Sequence, residues 1–176
     1  MRRSLLALTV LAAGAFFACA PTKPLATVPF VDLDRFMGDW YVIANIPTRF
    51  EVGAHNAIES YRVDQDGSIA TTFTYRDGAF DGPGKVMRPR GFVREGTGNA
   101  VWGMQFVWPI KAEYLIAYVD PEYTQTIIAR SALDYVWIMA RKPVLSEADY
   151  ARLVQMVADL GYDMSKLQKV PQRWGD

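Results

Sequence analysis

From Trp40 to Arg141 hydrophobic and polar positions fall into short runs rich in β-branched and aromatic residues, each closed after seven to ten residues by turn chemistry. Eight runs can be counted: Trp40–Ile46, Ala57–Val63, Ser68–Tyr75, Lys85–Arg94, Ala100–Val107, Glu113–Val119, Thr124–Arg130 and Tyr135–Arg141. Asp66-Gly67, Asp77-Gly78, Gly82-Pro83-Gly84, Gly96-Thr97-Gly98-Asn99, Pro109, Asp120-Pro121 and Asp134 separate them. Strands never alternate with helical segments, which excludes a parallel sheet and predicts an antiparallel meander. One later segment has the helical period: Tyr150, Leu153, Val154, Val157 and Leu160 share a face behind Ser146 as N-cap, with Gly161 at the stop. Leu145 and Tyr150 are spaced for a hydrophobic staple. Eight strands are enough to close a barrel, so the apolar stripe of this helix is expected against its outside. A last run, Leu167–Val170, is expected to add an edge strand.

The start of the chain changes the picture from a soluble barrel to a tethered one. Met1-Arg2-Arg3 is a basic region, Leu5–Phe17 an uncharged apolar run, and Ala18 a small residue before Cys19, the sole cysteine, which is the layout of an export signal. The 13 residues of the apolar run span about 20 Å as a helix, short of the ~30 Å core of a bilayer. Phe16-Phe17-Ala18-Cys19 resembles a bacterial lipobox, which implies a signal peptide over residues 1–18, diacylglycerol on Cys19, and a lipidated N-terminus and spacer over residues 19–30. Ala20 in the next position resembles the sorting pattern of the outer membrane, implying an anchor there facing the periplasm. Two or three acyl chains, at about 0.8 kcal/mol per methylene, hold a protein essentially permanently. Removal of residues 1–18 leaves 17 basic against 19 acidic residues, so no bulk positive field exists to hold nucleic acid.

Three blocks stand in order along the remaining domain, residues 31–176: Gly38-Asp39-Trp40-Tyr41, Tyr118-Val119-Asp120-Pro121-Glu122-Tyr123, and Trp137 to Pro143 with Arg141. With eight strands and a following helix they resemble the lipocalin family, in its bacterial outer-membrane lipoprotein branch. The resemblance implies an all-β, eight-stranded antiparallel up-and-down barrel with one C-terminal α-helix packed outside. It also implies that Gly38, Trp40 and Arg141 close the barrel floor, the guanidinium covering the indole. With register taken from the resemblance, alternation turns Glu59, Tyr61, Thr71, Phe73, Trp102, Met104, Phe106, Tyr114, Ile116, Tyr118, Ile127, Tyr135, Trp137 and Met139 inward as the ligand-binding lining. A bulge inverts the set of any strand it interrupts. Mouth loops are expected near Arg49-Phe50, Arg76, Pro109-Ile110-Lys111 and Arg130, where cations and carboxylates mix.

Such a cavity would hold a fatty acid, a lysophospholipid or a similar amphiphile, without cofactor, metal or covalent chemistry. Glu59 is the one carboxyl on the inward list, and there it must be paired, hydrated or protonated. His55 is the only histidine, which excludes a His/Cys metal cluster, and no serine stands in a nucleophile elbow. Two alternatives stay open: an enzyme acting on a bound lipid with Glu59 or Tyr135 as acid or base, and an envelope interaction protein with a filled barrel. Pairing of barrels into a homodimer is open as well.

Overall fold

In a computed structural model, which describes residues 25–175, ten strands form one antiparallel sheet. The segment expected as an export signal, Cys19 and the first part of the expected spacer lie outside the described residues. The strands are β1 (Gly38–Ile46), β2 (Ala54–Val63), β3 (Ile69–Asp77), β4 (Gly84–Met87), β5 (Arg90–Val93), β6 (Val101–Val107), β7 (Ile110–Val119), β8 (Gln125–Ala129), β9 (Val136–Ala140) and β10 (Gln168–Lys169). Each of β1 to β9 pairs with its sequence neighbours, except that β4 and β5 both pair with β3, and β1 meets β9 to close the barrel. The stave expected as one run, Lys85–Arg94, is broken at Arg88-Pro89. Proline has no N–H to give the ladder, yet Thr71 N–H still donates to Pro89 O at 3.2 Å, so β4 and β5 keep one register and count as one of eight staves.

Residues sort to two sides of this wall. Trp40, Val42, Tyr61, Phe73, Trp102, Met104, Tyr114, Ile116, Ile128 and Met139 form the interior cluster. Ile43, Ile127, Ala129, Val136, Ile138 and Ala140 form an outer cluster beneath α2 (Glu147–Asp159), which buries Leu153 and Val157 against them. Ser146 caps α2 by accepting from Asp149 N–H at 3.1 Å, and Gly161 takes φ +95° just past its end.

Two inward assignments are corrected. Tyr118 and Ile127 both belong to the outer side, where the Tyr118 hydroxyl accepts from Arg152 at 3.0 Å. The cause is a bulge in β7: the register with β8 shifts between Ile116 and Tyr118. Ile116 therefore faces in opposite Ile128, while Tyr118 faces out opposite Ile127.

Two short features build the ends. Helix α1 (Leu33–Phe36), which the sequence pattern does not announce, is capped by Asp32 and buries Phe36 in the floor. At the other end of the chain, β10 pairs with β1 and the following residues fill a seam. β1 and β2 pair only from Gly38↔Tyr61 to Tyr41↔Ile58 and then diverge. Gln172 bridges the gap, its Nε2 donating to Val42 O at 2.7 Å and Ala57 O at 3.2 Å, while Val170 is buried in the interior cluster.

Candidate ligand cavity

The floor is built from the backbone upward. Gly38 takes φ +93°, and an added Cβ there would lie 3.3 Å from Nη1 of Arg141. That close approach lets the guanidinium lie over the Trp40 ring, 3.8 Å from its centroid. Its nitrogens donate to five carbonyls: Tyr123, Asp39, Arg35, Phe36 and Met37, at 2.7 to 3.2 Å. Three of these belong to α1 and the residue after it, so Arg141 also satisfies orphan carbonyls at the helix end. Trp40 is fully buried and its Nε1 donates to Phe36 O at 2.8 Å. Asp120 shapes the neighbouring turn, accepting from Thr124 and Gln125 N–H groups at 2.7 and 2.6 Å. On this floor Phe36, Tyr61, Trp102 and Tyr114 pack ring against ring, Trp102 stacked on Tyr114 at 5.2 Å.

Above the packed half lies an open cavity of about 580 Å³. That is the size range of small-molecule sites, and the barrel is not filled. Of the residues expected to line it, Glu59, Phe73, Met104, Phe106, Tyr114, Tyr135 and Trp137 do so. Phe106 sits at the rim and is 58% exposed. Tyr61, Thr71, Trp102, Ile116 and Met139 face the interior but belong to its packed part, and Tyr118 and Ile127 lie outside the wall. Among the expected mouth residues Arg49, Phe50 and Arg130 line the cavity. Arg76 instead reaches Gly82 O, and Lys111 lies over the Phe92 ring at 3.6 Å. Glu51 and Glu113, two of the carboxylates expected among the mouth cations, line it too, while Thr48, Met87, Arg88, Pro89, Val107 and Ala112 line it without having been singled out. Met87 sits opposite Phe73 and shares its parity, a signal that the proline two residues on obscures.

The cavity is apolar below and charged above. Glu51 is buried; it accepts from Thr48 N–H at 2.7 Å and Trp137 Nε1 at 2.9 Å, yet burial still raises its pKa. Glu113 accepts from Ser131 N–H at 2.6 Å, and Arg130 pairs with Asp134 at 3.3 Å. Glu59 is the exception, with its exposed part turned into the cavity. Desolvation raises its pKa to about 7; the Tyr61 hydroxyl beside it pulls the other way, and the charge of Glu51 adds to the rise. Tyr61 in turn hydrogen-bonds the Tyr114 hydroxyl, and burial pushes both phenols up. Near neutral pH the carboxyl is therefore divided between its charged and neutral forms, and the neutral form can donate one hydrogen bond into the cavity.

His55 contacts Gly53 O at 2.9 Å and the Phe80 ring, while Ser60 and Ser131 bond Asp39 and Glu113. Histidine and serine are thus committed to different partners. No group of three or more potential metal ligands occurs among the described residues.

A closed antiparallel barrel, plugged at one end by indole and guanidinium, hollow at the other and flanked by one helix, defines a lipocalin. Residues 31–172 match the family model described as a lipocalin-like domain, and the chain belongs to that family. The outer membrane lipoprotein Blc of Escherichia coli (strain K12) is 28% identical, over 96% of this chain and 97% of that protein. Temperature-induced lipocalin-1 of Arabidopsis thaliana is 29% identical, over 85% and 84%. Among solved structures, insecticyanin from the tobacco hornworm Manduca sexta superposes with a TM-score of 0.64 at 16% identity, covering 90% of this chain and 87% of that one, a likeness of fold alone.

Proposed function

We propose that the protein is a membrane-tethered binding protein for single-chain amphiphiles, fatty acids or lysophospholipids, held in the barrel cavity for storage or transport in the bacterial envelope. The observation that carries this reading is the one-ended cavity, apolar in depth and charged at its mouth. An acyl chain enters the apolar part and its polar head stays among Arg49, Arg88 and Arg130. Burying about 300 Å² of chain contributes roughly 7 kcal/mol gross, and since micromolar affinity is about 8 kcal/mol net of association costs, contacts of the head at the mouth supply the rest. The similarity to an outer membrane lipoprotein over nearly the whole length supports acylation at Cys19 and an outer-membrane address.

Titration with a fluorescent C18 fatty acid, read by energy transfer from Trp137, is expected to saturate at one ligand per barrel with micromolar affinity, and lysophosphatidylcholine should displace it. Ala112→Trp, which fills the cavity from β7, is expected to weaken binding about tenfold or more while leaving the fold intact. Unchanged affinity in that variant would refute cavity binding. Native mass spectrometry of membrane-extracted protein checks the acyl groups on Cys19.

A further inference from the structure

The open end of the barrel carries an apolar rim that ligand binding alone does not require. Trp108 is 83% exposed, Ile110 71%, Val107 69%, Val52 62%, Phe106 58% and Phe50 56%. Four of these form the tip of the β6–β7 hairpin and two lie in the β1–β2 connection, and three of the six line the cavity mouth. Scattered exposed apolar residues need no account, but a set gathered on two loops around one opening marks an interaction surface.

The course of the N-terminal segment states what that surface meets. Val31 N–H donates to Gly98 O in the β5–β6 turn beside the floor, and Val28 N–H to Ile116 O halfway along β7. Leu25 N–H then reaches Ser131 Oγ at 3.5 Å, in the β8–β9 connection at the mouth. The segment thus runs along the wall from the closed end to the open one, and what precedes Leu25 departs from the level of the rim. Cys19 is six residues away, a reach of at most about 20 Å.

We propose that the rim is a membrane-docking surface: the barrel sits mouth-down on the leaflet that holds its anchor, with Val107, Trp108 and Ile110 entering the interface between headgroups and acyl chains. Apolar side chains with a tryptophan among them partition to that depth, and a single-chain lipid then passes between leaflet and cavity without crossing water. The purpose of docking rests on the carrier function proposed above; the docking itself does not.

The test uses the chain from residue 19 with Cys19→Ser, which retains every described element and lacks the acyl chains that would mask weaker contacts. With phosphatidylethanolamine/phosphatidylglycerol vesicles this protein is expected to float, and shallow brominated lipids should quench an emission component that Trp108→Phe removes. Trp108→Glu and Ile110→Glu together, neither of which lines the cavity, should lower vesicle partitioning about tenfold or more, with affinity for the fluorescent fatty acid within about twofold. Absence of flotation in the parent, or equal flotation in the rim variant, overturns the proposal. So does a parent that self-associates through the rim in sedimentation and leaves vesicles alone. Docking without fatty-acid binding would defeat the carrier function and leave the docking surface standing; binding without docking would do the reverse.

Discussion

Arg141 does the work of several residues, because one planar cation reaches five carbonyls and an indole face at once. Lysine supplies a point charge that cannot fork, so Arg141→Lys is expected to destabilise by about 1–2 kcal/mol and Arg141→Ala by about 3 kcal/mol, read from urea unfolding. Gly38→Ala should destabilise as well, since its φ is +93° and the new methyl would press on the guanidinium. These floor residues were legible in the sequence: glycine, tryptophan and arginine stand in a recurring pattern, and each has a function that no neighbour can take over. Tyr118 and Ile127 were not, because alternation says which residues share a face only until an extra residue enters the ladder. The bulge after Ile116 leaves no mark in composition.

At the level of elements, a barrel whose first two strands part above Tyr41 needs something in the gap, and the tail supplies it. Val170 fills the interior side, while Gln172 supplies a donor to carbonyls of both strands. Gln172→Ala leaves Val42 O and Ala57 O without that donor and is expected to cost about 1–2 kcal/mol. Hydrogen exchange should show the loss concentrated in β1 and β2 near the seam, rather than at the floor. The edge run Leu167–Val170 was visible as a short apolar stretch, and β10 falls within it. The seam was not, because it arises from divergence of two strands whose bonded carbonyls lie 130 and 115 residues before Gln172 in the chain. Helix α1 escaped for a simpler reason: four residues are too few to express a helical period. The strands, by contrast, carried enough alternation and turn chemistry to be counted, with Pro89 the one break inside a stave.

Across the whole molecule, the proposed ligand and the Glu59 carboxyl would share one cavity. Glu59 faces the open cavity and still titrates only at about 7, because burial disfavours the charged form. If an acyl chain occupies the cavity as proposed, it replaces solvent beside Glu59 and raises the cost of charge further, so the carboxyl is expected to titrate higher in the complex than in the free protein. Binding then takes up a proton wherever the free protein has lost it. Affinity for a nonionic single-chain ligand, whose own charge cannot change, should be constant well below pH 7 and fall as pH rises through 7 toward 9. Stability follows the same sign: with a folded pKa near 7 against an ordinary 4.5, the contribution of Glu59 is fully present below about pH 4.5 and is lost as pH rises through 7, by at most about 3 kcal/mol. Glu59→Gln keeps the shape and removes the titration, so its binding curve should stay level across the same range, apart from any smaller slope left by Glu51. Calorimetric titration of parent and variant at pH 6, 7.5 and 9 distinguishes the cases. A parent whose affinity does not fall, or a variant that falls equally, would show that the Glu59 carboxyl and the acyl chain do not share the cavity.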